Sequence, residues 1–307
     1  MTRPPSNPAP VSSHSLKFAP YYDVTLKDTP SLEEIYAKTG QKDFTLAFAL
    51  GGFSGCEPKW GGEHDLETPR IIDPIRALQA KGGEFIIATG GAVGPYLEHL
   101  CTSVDSLAAG YKKILDVVGA RHLDIDVEAP INNDIVTKAL AQVQRERPDV
   151  TVAFTMPVQG DDYGLTDALG TAVLRAAKKN GVRVDIVNPM AMEYPTQKPD
   201  WGDSVIATGS AVLGQMKEIW PEKSDMELKR MLGITPMIGR NFNGKMFQVA
   251  HARKLVQWAN ENHIGLLAFW SAGRDNGKCP GGGISPYCSS VSQSEYEFIK
   301  TFQGFKG

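Results

Sequence analysis

Between His122 and Glu128 the chain reads His-Leu-Asp-Ile-Asp-Val-Glu, a strict alternation of aliphatic and acidic side chains. Successive side chains of a β-strand point to opposite faces. Leu123, Ile125 and Val127 therefore share one face, and Asp124, Asp126 and Glu128 share the other. Carboxyls placed this closely cannot all ionise when buried, because desolvation and mutual repulsion both favour proton uptake. A row whose members differ in proton affinity suits acid/base chemistry. Two other readings compete with this one. Salt-bridged scaffold carboxyls would need a matching basic row, and no other strand candidate carries one. Carboxylate ligands for a metal such as magnesium would make activity sensitive to a chelator.

Such a strand needs a fold that buries its two faces differently and opens at one end. Eight strand candidates recur along the chain: Phe18–Val24, Phe44–Leu50, Glu84–Thr89, His122–Glu128, Thr151–Met156, Val184–Met192, Met231–Ile238 and Gly265–Trp270. Helical patterns lie between them. Ser31-Leu-Glu-Glu34 reads as a capping box, with Gly40 as a stop. Arg70–Ala80, Ser106–Val118, Asp134–Arg147, Thr166–Asn180, Val205–Ile219, Phe247–Asn262 and Ser294–Phe302 follow. Eight β-then-α units predict an α/β fold, a (β/α)8 TIM barrel in a single domain over residues 16–307. A doubly wound open sheet is the alternative, but Gly51-Gly52-Phe53 does not continue into a phosphate-binding turn. In a barrel the loops after strands line the catalytic face, and Gly51–Thr68 and Glu193–Ser204 are the longest of these without periodicity. Glu128 is then expected uppermost at the mouth.

Charge narrows the partners. Across 307 residues, 32 Lys and Arg against 35 Asp and Glu leave a net charge of −3, with no basic cluster to favour nucleic acid or anionic lipid. Nowhere do 18 apolar residues run together, so no membrane span is expected. A monomer is the default expectation. Cys279 and Cys288 bracket a Gly/Pro/Ser loop with little else to hold it, which suggests a disulfide and leaves Cys56 to pair with Cys101. Four reduced, buried thiols are the alternative. Two disulfides would imply an oxidising compartment and a secreted protein. The opening MTRPPSNPAPVSSHS lacks the apolar core of a signal peptide, so export would need a leader outside these residues or another route. Residues 1–15 read as a flexible tail or linker stub.

Asp124, Asp126 and Glu128 resemble the last three acids of the D-x-x-D-x-D-x-E signature of family 18 glycoside hydrolases, the chitinase family; Arg121 stands in place of the first. Ala88-Thr-Gly-Gly91 resembles the S-x-G-G motif, with Ala88 in place of Ser. Met190-Ala-Met192-Glu-Tyr194 resembles the sixth-strand M-x-Y motif, and Phe269-Trp270-Ser271 the floor tryptophan of the eighth strand. Phe18-Ala-Pro-Tyr-Tyr-Asp-Val24 and Trp270–Gly277 are most similar to the compact bacterial-type branch.

The resemblance implies that Glu128 is the general acid of a retaining reaction in which the substrate's own 2-acetamido group is the nucleophile. Asp126 would orient that group, Asp124 would store a proton, and Tyr194 would donate to the acetamido oxygen. Trp270 would floor the sugar site and Met192 would line it. Trp60 and Trp201, on mouth loops, are candidates to stack flanking sugars. Glu193 and Asn241 are further groove candidates. Only about ten residues connect strand seven to its helix, so the α+β insertion of many relatives is absent and an open cleft for endo-cleavage is implied. No cofactor or metal is implied. The partner would be chitin or chito-oligosaccharides. An endo-β-N-acetylglucosaminidase acting on N-glycans would share these motifs, and a chitin-binding lectin could keep the groove without turnover.

Overall fold

The computed structural model describes residues 16–307, so the expectation for residues 1–15 lies outside it. In chain order the elements are β1 (Tyr21–Asp23), α1 (Leu32–Thr39), β2 (Phe44–Gly52), β3 (Gly55–Trp60), α2 (Pro69–Gln79), β4 (Phe85–Gly90), α3 (Leu97–Leu100) and α4 (Val104–Val118). Next come β5 (His122–Asp126), α5 (Asn133–Glu146), β6 (Thr151–Gly160), β7 (Gly164–Leu165), α6 (Ala172–Lys179), β8 (Ile186–Ala191), α7 (Trp201–Ile219) and α8 (Asp225–Met231). The last are β9 (Gly233–Pro236), β10 (Gly239–Arg240), β11 (Met246–Phe247), α9 (Val249–Asn262), β12 (Leu266–Leu267) and α10 (Glu297–Phe302).

Eight of these strands run parallel in the order β1-β2-β4-β5-β6-β8-β9-β12. The ring closes where the chain enters β1. Phe18 bridges Leu267, Ala19 N–H donates to the Leu267 carbonyl at 3.1 Å, and Tyr21 N–H to that of Phe269 at 3.0 Å. The fold is the expected (β/α)8 barrel. Local chemistry sets its helices: the Ser31 hydroxyl accepts from Glu34 N–H to start α1, and Gly40, at φ 74°, ends it.

Three local expectations fail for identifiable reasons. The Gly51–Thr68 segment is not a loop, because β3 folds back antiparallel on the end of β2 with Trp60 opposite Ala49. Helix α7 begins at Trp201, four residues before the expected Val205, because the Asp200 carboxylate caps Asp203 N–H. Met231 ends a helix and does not open a strand, since Ser224 and Glu227 form a reciprocal capping box for α8.

The aliphatic face of β5 (Leu123, Ile125, followed by Val127) joins the apolar layer between barrel and helices. Inside the barrel, Ala19, Ile86, Ala153, Ile186 and Leu266 fill the lower level. Tyr21, Ala47, Ala88 and Ala268 form the next, with Phe48 and Trp270 packed on them. Three of those four side chains are single methyls, and this leaves the upper interior open beside the acidic row. Residues 237–248 make the whole link from β9 to α9, with only the small β10–β11 hairpin in it.

Candidate active site

Asp124 and Asp126 face the barrel interior from β5, and Glu128 follows two residues beyond. Asp124 lies between Ala88 and Ala153 on the flanking strands, where small side chains leave space for a carboxyl. It is 2% exposed. Tyr21 donates its hydroxyl to Oδ2 at 2.7 Å, and Thr155 donates to Oδ1 at 2.8 Å. The donors form an oriented chain: Thr235 Oγ1–H to Asn188 Oδ1, Asn188 Nδ2–H to Thr155 Oγ1, each at 2.9 Å. Burial nonetheless dominates and pushes Asp124 up to about 7, against those hydrogen bonds.

Asp126 is raised well above the carboxylate range, first by burial and then by the charges of Glu128 and Asp124. Its Oδ1 is buried without a hydrogen-bond partner among the described residues. Burial also lifts Glu128, although its side chain reaches solvent in the cleft. The row is thus graded, with two buried carboxyls of raised proton affinity beneath one accessible carboxyl.

The β4 strand makes room for this row by losing side chains. A Cβ on Gly90, at φ 81°, would run into the Asp126 carbonyl, and one on Gly91, at φ 90°, would lie 2.8 Å from the Phe48 ring. Above the row opens a cavity of about 620 Å³ lined by Tyr21, Asp126, Glu128, Met190, Met192 and Trp270, among others. Trp270 is half-buried and stacks on Phe48 at 5.9 Å and 15°, so one indole face is braced from behind. Apolar walls with a few convergent polar groups are what a sugar site requires.

Glu193, at the rim, also lines the cavity. Its carboxylate accepts the backbone N–H groups of Phe242 (2.7 Å) and Asn243 (2.8 Å). Three sequence candidates, Tyr194, Trp201 and Asn241, are elsewhere, and a fourth, Trp60, lies in the cavity wall but is covered. Tyr194 is 2% exposed and outside the cavity lining; its hydroxyl meets that of Thr208 at 2.9 Å and its ring packs on Trp201 at 4.9 Å. Strand β8 ends at Ala191, so inward alternation does not carry on to Tyr194. Trp201 is 4% exposed because the earlier start of α7 turns it against Tyr194. Trp60 has no exposed surface; its indole N–H donates to the Leu66 carbonyl at 3.1 Å, so no face is free to stack a sugar. Asn241 is 1% exposed and its amide closes the hairpin by donating to the Met237 and Gly239 carbonyls.

Sequence reasoning missed Tyr21, Thr155, Asn188 and Thr235. Thr155 had a signal, since it lies two residues along β6 from Ala153 and opposite Asp126. Cys56–Cys101 and Cys279–Cys288 are both disulfide-bonded. Arg121 pairs with Glu84 at 3.2 Å. Among the described residues no cluster of three His, Cys, Asp or Glu is arranged to hold a metal, and no helix is long and apolar enough to cross a membrane.

No family model matches the chain. It is similar to a probable bifunctional chitinase/lysozyme of Escherichia coli (strain K12), 31% identical over 312 residues, covering 94% of this chain and 34% of that protein. It is also 31% identical over 277 residues to endochitinase 11 of Metarhizium anisopliae, covering 84% of this chain and 52% of that one. The chain therefore spans about a third and about half the length of these relatives. Among solved structures, the catalytic domain of a hyperthermophilic chitinase from Pyrococcus furiosus superposes with a TM-score of 0.87 at 40% identity, covering 98% of each chain. Catalytic-site mutants of active domain 2 of that organism's thermostable chitinase, complexed with chito-oligosaccharides, give 0.88 at 40% identity, covering 99% of this chain and 97% of that one.

Proposed function

Because the chain belongs to glycoside hydrolase family 18, the chitinase family, we propose that it is an endo-acting chitinase that hydrolyses β-1,4 bonds between N-acetylglucosamine units with net retention. We take residues 16–307 as its catalytic unit and, from the two disulfides, a secreted protein as its setting. Chitin or chito-oligosaccharides are the partners, and a monomer suffices.

One observation carries the reading: an accessible carboxyl, Glu128, sits over two buried carboxyls whose proton affinities are raised, beside a braced tryptophan face. A sugar stacked on Trp270 brings its glycosidic oxygen to Glu128, whose raised pKa keeps the proton available for transfer. As that bond breaks, the substrate's acetamido carbonyl attacks the anomeric carbon. Asp126, with one oxygen unpartnered, accepts the acetamido N–H once its proton has moved toward Asp124. Tyr21 and Thr155 stabilise the Asp124 anion before that proton arrives. Glu128, now deprotonated, takes a proton from the water that opens the oxazolinium ring. The short β9–α9 link leaves the cleft unwalled on that side, which favours cleavage within a chain.

The test is a time course on chitin hexasaccharide with wild type and Glu128→Gln, product anomers being followed by proton NMR. Fresh β-anomer from the wild type is expected, with the variant slower by about a hundred- to ten-thousand-fold and oligosaccharide binding kept. Initial α-anomer, or an unimpaired variant, would overturn the mechanism; disaccharide dominating the earliest products on crystalline chitin would overturn endo-action.

A further inference from the structure

Among the described residues no other side chain hydrogen-bonds the Glu128 carboxyl, so its aim depends on its backbone. That backbone lies where the sheet runs out. On the β6 side the ladder continues past β5, with Val127 N–H donating to the Thr155 carbonyl at 2.8 Å. On the β4 side Gly91 N–H still donates to the Asp126 carbonyl at 2.9 Å, but the chain turns away through Gly90 and Gly91. Glu128 N–H therefore has no strand opposite it. The Tyr96 hydroxyl fills the gap: it accepts Glu128 N–H at 3.0 Å and donates to the Gly91 carbonyl at 2.5 Å. One oxygen atom thus acts as the missing rung between β4 and β5.

The same short segment holds the far side of the acid. The His99 ring stacks on Tyr96 at 4.8 Å and 14°, and its Nε2–H donates to the Pro130 carbonyl at 2.7 Å. Residues 128 and 130 are bracketed by two side chains three positions apart. Their own support is firm. Between them, Glu98 is buried and accepts the Thr89 and Tyr111 hydroxyls at 2.6 and 2.8 Å, and Cys101 ties the segment to Cys56 on β3. Tyr96 is 3% exposed, and burial raises its pKa far above the range in which an enzyme works, so it keeps the proton it donates.

We propose that Tyr96, backed by His99, is a positioning residue that sets the aim of the general acid from a loop outside the family's signature strands. The proposal rests on the reading of Glu128 as that acid. A misaimed acid harms a substrate in proportion to how much its leaving group needs the proton. Tyr96→Phe is therefore expected to lower kcat/KM on chitotetraose about ten- to a hundredfold, but to lower it less than about threefold on nitrophenyl chitobioside, whose phenolate leaves with little help. His99→Phe keeps the stacked ring and removes only the donor to Pro130. It is expected to show the same contrast at about three- to tenfold, and, being on the surface, it carries the test if Tyr96→Phe does not fold. An equal loss on both substrates, or no loss on either, would overturn the proposal while leaving the chitinase reading intact. A wild type that cleaves neither substrate would overturn that reading and this one with it.

Discussion

Replacing Asp126 by Asn should make the protein more stable at neutral pH and nearly inactive. Asp126 is 4% exposed, and burial together with Glu128 and Asp124 raises its pKa well above the ordinary 3.8. A carboxyl that is neutral in the fold and ionised in the unfolded chain must take up a proton on folding. This costs about 1.4 kcal/mol for each pH unit above the unfolded chain's value over which the native carboxyl stays protonated. Asn has nearly the same shape and needs no proton. The sign follows from the raised native pKa: the wild type's stability is complete below about pH 4 and declines as pH rises toward that pKa. The variant's advantage should therefore be absent at pH 4 and grow upward. Each kcal/mol of that advantage at pH 7 raises Tm by about 2 °C for a chain of this size. Scanning calorimetry at both pH values measures it. Hexasaccharide turnover should fall about a hundredfold or more, because the Asn amide cannot pass a proton to Asp124. A Tm gain equal at pH 4 and pH 7, or a loss at pH 7, would refute the claim that Asp126 is protonated in the native state.

Three further substitutions test the edges of the site. Tyr194→Phe should leave kcat on chitin hexasaccharide within about threefold of wild type and cost about 1 kcal/mol in urea unfolding, since its hydroxyl meets Thr208 and not the cavity; a hundredfold fall in kcat would restore Tyr194 to the site. Phe242 lines the cavity rim at 75% exposure on a hairpin whose tip Glu193 holds. Phe242→Ala and Glu193→Gln should each raise KM for the hexasaccharide about three- to tenfold with little change for the trisaccharide, whereas equal changes for both lengths would place Phe242 outside the binding track.

The parts of this molecule that were legible in its sequence are those governed by period. Alternation along β5 separated the acidic from the aliphatic face without any structure, and the β–α succession gave the barrel that makes one face an interior. Legibility ended where period ends. Tyr194 lies three residues past β8, where nothing keeps a side chain on the inward face, and Trp201 reads as a loop residue only until Asp200 is recognised as a cap. Trp60 has the composition of a mouth aromatic, yet the β2–β3 hairpin buries it against Leu66. Tyr96 is the converse: it follows Pro95, outside any strand, and only the departure of β4 at Gly90 leaves the Glu128 N–H that it satisfies. A strand signature can specify which carboxyl transfers the proton. The residue that holds the backbone where the ladder stops comes from a neighbouring loop, because a sheet end leaves a donor that its own strand cannot satisfy. In barrels whose catalytic group sits just past a strand end, positioning residues should accordingly be sought among loop hydroxyls that bridge the diverging strands.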